Sequence, residues 1–313
     1  KQSPGKRYNK LIKEQRIEGK ELIQSAMDDI RNVLFESKLL SWGTAQLAAK
    51  AFKKYYGNSE YYAELESFAE AWDISLTDLI TANLTYELSQ LGESISAYAC
   101  TSLARYVKGL GWVHGRNLDW NLDGLGDKSL ILKFIGPAGE FKSLSWPGYI
   151  GVLQGVAAGR FSASINYAPT TGVKNGIPPS FLLREVFANC HTFEEAVDTI
   201  VNAKTAASAF FILCGTKRHE AVVIEKSLHH AVTRYAENDC LIQTNNYVLL
   251  DDEYDYRDCD RFSYASKALP RIKIRKATDL FNKVLSTEPV FNENTVAQNI
   301  FVPRSGRIIS YIP

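Results

Sequence analysis

The pattern of apolar and polar positions divides the chain into a helical first third and a strand-rich remainder. Up to about residue 95, apolar side chains recur at the spacing of one helix face. Four helices are predicted there: one with Leu22, Ile23, Met27, Ile30, Val33 and Leu34 on one face, a second over residues 44–56, a third marked by Leu65, Phe68 and Trp72, and a fourth running from Ser75 to about Leu88. The fourth opens with Ser75-Leu-Thr-Asp78, which is typical of a capping box.

From residue 100 onward the period changes to that of β-strands, and helices are grouped between runs of strands. After an opening hairpin, strands are predicted over residues 129–135, 141–146, 150–157, 161–165, 209–214, 220–225, 230–235, 240–243 and 307–311. Helices are predicted over residues 179–189, 192–203, 261–269 and 277–285, the second opened by a Thr-x-x-Glu box. Strands in runs with helices between them indicate an α+β fold, with layered antiparallel sheets covered by helices.

Composition narrows the class of protein without naming a chemistry. At 313 residues and 45% hydrophobic content, the chain can bury one large core or a large and a small one. A net charge of +1 gives no reason to expect a nucleic-acid partner. No run of 18 apolar residues predicts a spanning helix. Because the sequence starts at Lys1, a signal peptide could have been removed; we lean towards an exported protein (secreted, periplasmic or lysosome-like), and a cytoplasmic one stays open.

The cysteines and a calcium-like run do not indicate a metal site. None of the five cysteines forms a CxxC pair, which argues against zinc or thioredoxin-like chemistry. Cys190 and Cys214 stand among apolar neighbours, and we expect them to be small core residues. Residues 119–124 copy the first half of a calcium loop, but Leu130 occupies the position of the bidentate glutamate. We therefore expect neither a metal nor a cofactor.

The residues that follow Cys100 combine the pattern of a hairpin with reactive side chains. A β-prone run is followed by the turn Lys108-Gly109-Leu110-Gly111 and by a second β-prone run. A thiol needs a nearby cation to become a good nucleophile, and an acid can hold both that cation and an amine. We expect the hairpin to bring Arg116 and Asp119, just beyond the end of the return strand, close to Cys100.

The same residues carry a family resemblance. Cys100-Thr-Ser, a short hairpin and His114-Gly-Arg-Asn-Leu-Asp119 closely resemble the start of the catalytic subunit in acid ceramidase and N-acylethanolamine acid amidase. Those enzymes are cysteine N-terminal nucleophile amide hydrolases, like the bile salt hydrolases and penicillin V acylases. The resemblance implies an αββα sandwich and a cut between Ala99 and Cys100, which would divide the chain into a helical subunit of residues 1–99 and a catalytic subunit of residues 100–313.

The cut would give Cys100 both a thiol and an α-amine. An α-amine titrates at roughly 7.7–8.0, so it can act as the base near neutral pH without a histidine. Arg116 would favour the thiolate, and Asp119 would hold the amine and Arg116. A short linker over residues 92–98 would make the Ala99 carbonyl reachable by the thiol; an ordinary helix-to-strand loop explains the same residues.

Three later residues match the family in turn. Asn166, after a strand, resembles the oxyanion-hole asparagine of bile salt hydrolases and penicillin V acylases, although Tyr167 follows where acid ceramidase has Glu. Gln243-Thr-Asn-Asn-Tyr247 resembles the segment that carries the other catalytic asparagine, and the match assigns Asn245 while the doubled asparagine leaves the register open. Arg261 matches a further site arginine.

Three hypotheses follow. The first is a self-processing cysteine amidase for N-acyl lipids such as N-acylethanolamines or ceramides. The second is an acylase for bile salts, penicillin V or acyl-homoserine lactones, indicated by the Asn166-Tyr167 pair. The third is an uncut homologue that binds lipid without catalysis. The basic, apolar helices before residue 95 would either pack only on the rest of the protein or dock on a membrane or micelle surface.

Overall fold

The computed structural model describes residues 3–36, 42–91, 98–122, 124–170, 172–250 and 259–313. Its first third is helical, as predicted, with α1 (Asn9–Glu14), α2 (Arg16–Glu36), α3 (Trp42–Tyr56), α4 (Glu60–Trp72), α5 (Leu76–Asn83) and α6 (Thr85–Ser89). The prediction of one long fourth helix is wrong, because the chain leaves helical geometry at Leu84 and starts the short helix α6. The predicted N-cap is confirmed: the Ser75 hydroxyl accepts a hydrogen bond from the Asp78 amide.

Helix α4 supplies the centre of the helical layer. Its residues Leu65, Phe68 and Trp72 are completely buried, as their spacing predicts. Trp72 lies against Gly19 of α2, where an added Cβ would come within 2.1 Å of the indole ring. Glycine is therefore required at this crossing of α2 and α4. On the predicted apolar face of α2, the buried residues are Leu22, Ile23, Met27 and Ile30, whereas the side chains of Val33 and Leu34 lie outside the described part of the chain.

The strands form two antiparallel sheets within the described residues. The five-stranded sheet has the order β10-β1-β2-β11-β12, and the seven-stranded sheet runs from β3 to β9 in sequence order. The strands are β1 (Tyr98–Val107), β2 (Gly111–Trp120), β3 (Leu130–Gly136), β4 (Gly139–Ser145), β5 (Gln154–Ala157), β6 (Phe161–Tyr167), β7 (Ala209–Cys214), β8 (Ala221–Lys226), β9 (Ala231–Tyr235), β10 (Cys240–Gln243), β11 (Thr295–Val302) and β12 (Arg307–Tyr311).

Helices cover the outer faces of both sheets. Helices α7 (Pro179–Asn189) and α8 (Phe193–Asn202) pack on the seven-stranded sheet. Helix α9 (Asp260–Ala268) and a π-helical turn (Phe281–Leu285) pack on the five-stranded sheet. The layers therefore run helix, sheet, sheet, helix, which confirms the α+β prediction and the αββα order that the resemblance implies.

Three predicted elements need correction. The strand predicted over residues 150–157 is shorter, since only Gln154–Ala157 pairs with neighbours. The helix predicted over residues 277–285 is reduced to the π-helical turn. The prediction also lacked β11, which lies between β2 and β12. Its buried Gln298 and Asn299 interrupt an apolar run, and they can be buried because they bond to polar side chains, among them Asn117 and Ser310.

The helical layer and the strand-rich part share one core. A single apolar cluster contains Phe68 and Trp72 from the helices together with Phe181 and Phe187 of α7. Beside it, the buried carboxylate of Glu64 accepts two hydrogen bonds from the Arg184 guanidinium, at 2.6 and 2.8 Å. The division into subunits 1–99 and 100–313 stays a prediction, and it would divide the chain across this shared core.

Candidate active site

The register of the β1–β2 hairpin places the predicted nucleophile and its cation together. Arg116 is two positions from the residue that pairs with Cys100, so both side chains leave the same face of the sheet, the face towards the seven-stranded sheet. Asp119 pairs with Ala99 and lies on the opposite face. The sequence pattern predicts that Arg116 and Asp119 lie just beyond the end of the return strand. That prediction is wrong, because β2 continues to Trp120 and both residues lie inside it.

Arg116 holds the Cys100 sulfur directly. Its Nη2 donates to the Cys100 Sγ at 3.2 Å and to the backbone oxygen of Ile165 at 2.6 Å. Arg116 is 1% exposed, and among the described residues its Nε and Nη1 have no hydrogen-bond partner. The buried guanidinium supplies a positive charge and a hydrogen bond to the Cys100 sulfur. The two remaining nitrogen donors are therefore available to a substrate or to the developing negative charge.

Gly115 explains why a residue without a side chain precedes Arg116. A Cβ at this position would lie 2.7 Å from a Leu280 methyl group and 2.9 Å from a Leu285 methyl group. Glycine allows the π-helical turn and its neighbours to pack directly against β2, so the Arg116 strand is held from its outer face.

Asp119 is a buried carboxylate beside the backbone at the predicted cut. Its Oδ1 accepts from the Thr295 hydroxyl at 2.7 Å, and its Oδ2 is 3.7 Å from Arg261 Nη1 with no hydrogen bond within the described residues. Burial raises the pKa of Asp119, and hydrogen bonds and nearby arginines oppose that shift in part. Since Asp119 pairs with Ala99, an amine released by a cut at Cys100 would lie close to this carboxylate.

Asn245 contacts the amide nitrogen at the predicted cut. Its Oδ1 accepts from the Cys100 N–H at 2.8 Å, while its Nδ2 donates to the Tyr167 oxygen at 2.8 Å. The neighbouring Asn246 instead accepts a hydrogen bond from the Thr244 hydroxyl. The geometry thus favours Asn245 over Asn246 as the site asparagine, which is the assignment the resemblance implies.

Arg261 joins Cys100 and Asn245 from helix α9. Its Nη1 donates to the Cys100 oxygen at 2.6 Å and to the Thr101 hydroxyl at 3.1 Å, and its Nη2 donates to Asn245 Oδ1 at 2.9 Å. Arg261 therefore holds the backbone on the C-terminal side of the predicted cut. Arg257 and Asp258, which precede it in the chain, lie outside the described residues.

Asn166 lies between the two sheets, and its amide is fully engaged. Its Nδ2 donates to the backbone oxygens of Gln243 at 2.9 Å and Thr244 at 3.3 Å, and its Oδ1 accepts from the Ser102 hydroxyl at 2.8 Å. These contacts favour a role in holding strands together. The oxyanion role that the resemblance implies for Asn166 stays a prediction.

His114 is buried beneath the hairpin. Its two ring nitrogens lie 3.0 Å from the Ser162 hydroxyl and 3.1 Å from the Ser164 hydroxyl. Burial, and then the charge of Arg116, lowers the pKa of His114 to about 3, so the ring is neutral in neutral and mildly acidic solution. This supports the expectation that a histidine does not act as the base for Cys100.

A narrow cavity adjoins the Cys100 thiol, and its volume of about 20 Å³ is enough for one water molecule. Its lining is mainly apolar and comprises Thr85, Tyr86, Cys100, Arg116, Leu118, Asp119, Trp120, Tyr149, Leu153, Ile165 and Tyr167. Sequence reasoning did not identify Tyr167 as a site residue, although it directly follows the predicted Asn166. Thr85 and Tyr86 come from α6, so residues on both sides of the predicted cut form this wall.

Comparison with known proteins identifies the family of the chain. Residues 108–280 match the model of the acyl-coenzyme A:6-aminopenicillanic acid acyl-transferase family. The chain belongs to that family. Its acid ceramidase-like character is confirmed as well: the chain is 26% identical to the acid ceramidase of Pan troglodytes, over 99% of this chain and 83% of that protein.

The resemblance to the amidase branch is equally direct. The chain is 26% identical to the N-acylethanolamine-hydrolyzing acid amidase of Caenorhabditis elegans, over 82% of this chain and 76% of that protein. A solved structure of the Caenorhabditis elegans ortholog of that amidase superposes with a TM-score of 0.56 at 27% identity, covering 68% of this chain and 100% of that structure. The αββα N-terminal nucleophile hydrolase fold is therefore confirmed, and the chain is an amide-hydrolysing enzyme of the N-acyl lipid hydrolase family.

Proposed function

We propose that the chain cuts itself between Ala99 and Cys100, and that the freed Cys100 then hydrolyses the linear amide bond of an N-acyl lipid. The observation that carries the proposal is the set of contacts around one residue. The Cys100 sulfur bonds to a buried arginine, its N–H bonds to Asn245 and its carbonyl oxygen bonds to Arg261. Nucleophile, peptide nitrogen and neighbouring carbonyl are thus each held by a different side chain.

In the cutting step, the Cys100 sulfur adds to the Ala99 carbonyl carbon. The Ala99–Cys100 C–N bond breaks, the acyl group passes from nitrogen to sulfur, and the thiol proton ends on the released amine. Water then cleaves the thioester, which leaves a carboxylate on Ala99 and a free thiol on Cys100. Asn245 supports this step because its oxygen orients the N–H that becomes the amine.

In turnover, the α-amine of Cys100 takes the thiol proton and the sulfur adds to the substrate carbonyl. Arg116 and the Asn245 amide stabilise the oxyanion, for which Asn245 exchanges its bond to the Tyr167 oxygen. One such donor lowers the activation barrier by roughly 2.7–4 kcal/mol. Collapse expels the substrate amine with the proton from the α-ammonium, and water releases the fatty acid from sulfur.

The deciding experiment is intact mass under denaturing, reducing conditions after incubation at pH about 4.5 and about 7.5, both below the roughly 7.7–8.0 at which a free α-amine titrates. We expect two masses, with the break before Cys100. Cys100→Ala is expected to stay intact and inactive, whereas Cys190→Ala, another buried cysteine outside the site, is the matched control and is expected to be cut normally. A Cys100→Ala protein that is still cut at Ala99 would refute the mechanism.

The choice of acyl substrate has a second candidate. Tyr167 in the cavity wall favours an acylase for bile salts, penicillin V or acyl-homoserine lactones, since an aromatic wall suits a bulky or ring-bearing substrate. Hydrolysis rates for a panel of N-acylethanolamines, ceramides and these compounds distinguish the two. A preference for N-acylethanolamines or ceramides would reject the acylase, and a preference for bile salts, penicillin V or acyl-homoserine lactones would reject the lipid amidase.

Contact with a lipid surface is part of the same proposal. Helix α3 exposes Leu47 and Tyr55 beside Lys50, Lys53 and Lys54, a combination that suits an anionic membrane or micelle. In the described part of the chain, no helix has the length and apolarity to cross a bilayer. Loss of vesicle binding in Leu47→Glu, with binding kept in Asn58→Ala at an exposed position after α3, would support the contact. Export stays a prediction.

A further inference from the structure

A polar layer lies between the two sheets, next to the site but outside the cavity. It consists of five side chains that are completely buried: Ser102, His114, Ser162, Ser164 and Asn166. They come from β1, β2 and β6, and each is within hydrogen-bond distance of another member. Buried polar groups at this density are retained in a core only when their hydrogen bonds are made, so the direction of each bond can be worked out.

The direction starts at Asn166. Its nitrogen faces the backbone oxygens of Gln243 and Thr244, which can only accept, so that end must be the NH₂ group and the other end must be the oxygen. Ser102 therefore donates its one hydroxyl proton to Asn166 Oδ1. The hydroxyl of Ser164, 2.9 Å from that of Ser102, must then donate to Ser102.

The last step reaches the histidine. Because the Ser164 proton is used on Ser102, Ser164 can only accept from the His114 Nε2, 3.1 Å away, which must carry a proton. The ring is neutral, so Nδ1 is bare and accepts from the Ser162 hydroxyl at 3.0 Å. A single ordered chain of donors thus runs from His114 through Ser164 and Ser102 to Asn166.

We propose that His114, held in its Nε2–H tautomer, is a positioning residue: through Ser164, Ser102 and Asn166 it fixes the strand end that carries Asn245 at the Cys100 amide. The inference rests on the proposed function. Asn166 grips the two carbonyls immediately before Asn245, and Asn245 in turn accepts the Cys100 N–H. Reversing the Ser102 hydroxyl would place its oxygen against Asn166 Oδ1 with no proton between them.

The environment of His114 supports the neutral tautomer. The neighbouring charge is Arg116 on the same strand, which disfavours a second positive charge. The ring of Phe301 on β11 packs edge-on at 5.6 Å. Among the described residues, no carboxylate lies within ion-pair distance of the imidazole, and its two nitrogens contact serine hydroxyls.

The serines of β6 provide a matched test. Ser162 and Ser164 are both buried, both on one face of the strand, and each bonds one nitrogen of His114. Only Ser164 continues to Ser102. We expect Ser164→Ala to lower the rate of cutting and the kcat for an N-palmitoyl aminocoumarin probe by about tenfold, with KM changed by no more than about twofold. We expect Ser162→Ala to change the rate of cutting and the kcat by no more than about twofold. Equal losses in the two variants would overturn the proposal.

A second pair keeps the test informative if a serine variant folds poorly. The amide of glutamine in His114→Gln reaches the place of Nε2 and can donate to Ser164, whereas the shorter His114→Asn reaches only the place of Nδ1. We expect the glutamine variant to keep more activity than the asparagine variant. The reverse order, at equal thermal stability, would contradict the proposal.

A readout independent of activity separates this inference from the proposed function. In ¹⁵N-histidine NMR spectra of the Cys100→Ala protein, we expect the His114 signals of a neutral ring with the proton on Nε2, unchanged from pH 5 to pH 8. A mixture of tautomers, a proton on Nδ1 or a titrating ring would overturn the proposal even if the enzyme cuts itself. If the predicted spectrum is found but the wild-type chain stays uncut, the ordered hydrogen bonds are supported and the self-processing function is rejected.

Discussion

Strands β6 and β7 are neighbours in the middle of the same sheet, and both are buried at every residue, yet they are built from different side chains. Strand β7 is apolar on both faces, with the sequence Ala-Phe-Phe-Ile-Leu-Cys. Strand β6 alternates, with Phe161, Ala163 and Ile165 on one face. Its other face carries Ser162, Ser164 and Asn166. The alternation of β6 is the pattern expected of a half-exposed strand, but here it marks a hydrogen-bonded face inside the core.

The difference shows two ways to fill the space between sheets. On β7, Phe210 and Ile212 pack in an apolar cluster with Trp112 and Tyr247. Their burial stabilises the contact between the sheets, but apolar contacts are non-directional and do not fix one relative orientation of the strands. On β6, each polar group has its partner at 2.8 to 3.3 Å, so the strands meet in one arrangement. The apolar part supplies stability, and the polar part supplies orientation where Cys100 needs it.

Removing bulk from β7 tests the apolar half of this comparison. Ile212 pairs with Ser164 in the sheet and is completely buried. We expect Ile212→Ala to lower the free energy of unfolding by about 2–5 kcal/mol, because it leaves a cavity in a packed core. Denaturant unfolding measures the loss, while the rate of cutting in the folded fraction is expected to stay near wild type. A large loss in the rate of cutting, at a temperature where the variant is folded, would mean that the apolar face of β7 also orients the residues around Cys100.

A buried carboxyl group without a partner sharpens the comparison. Glu87 on α6 is buried, and among the described residues neither of its oxygens has a hydrogen-bond partner. Burial raises the pKa of Glu87 to about 8. The folded state thus holds a proton that the unfolded state releases near pH 4.5, so stability is full below that pH and falls as the pH rises towards 8.

The corresponding experiment compares wild type with Glu87→Gln, which cannot ionise. We expect the free energy of unfolding of wild type to fall by up to about 3 kcal/mol between pH 5 and pH 7 relative to the variant. Asp279→Asn removes a carboxylate whose pKa is lowered by hydrogen bonds from the Arg275 and Lys276 amides, so this control should keep the wild-type slope in this range. If the free energies of unfolding of wild type and Glu87→Gln change in parallel with pH, the ionised Glu87 carboxylate is stabilised by a hydrogen-bond or charge partner.

Turning one polar group around tests the other half. In Asn166→Asp the side chain keeps its shape but cannot donate to the carbonyl oxygens of Gln243 and Thr244. We expect a loss of about 1–3 kcal/mol in stability from unpaired buried oxygens, together with slower cutting. Thermal unfolding and the rate of cutting measure the two. Normal cutting in a destabilised protein would reduce Asn166 to a structural role.

The local part of the site could be predicted because it depends on covalent spacing. The hairpin and the shared face of Cys100 and Arg116 follow from a short turn and the two-residue period of strands. Even here the sequence pattern ended the return strand too early, because Asp119 is a charged residue that β2 buries against Thr295. A buried charge with a partner has no signature in a hydrophobicity pattern.

The remote part needed the family resemblance to be proposed, and it needed the fold to be tested. Asn245 and Arg261 are far from Cys100 in sequence and contact it only because β10 pairs with β1 and α9 packs beside it. The sequence could not distinguish Asn245 from Asn246, since a register shift of one residue at a strand end changes no local preference. The hydrogen bond to the Cys100 N–H does distinguish them.

By itself, the sequence determined the α+β class, the helical first third and the hairpin that brings Cys100 and Arg116 to one face, because these depend on residue types and on periods of two and 3.6 residues. Only the tertiary structure decided that β11 enters the five-stranded sheet, that the polar face of β6 is buried, and that Asn166 grips the strand carrying Asn245. Those features arise when polar groups that are distant in sequence form hydrogen bonds with one another in the buried interior. No local pattern specifies which of them will meet.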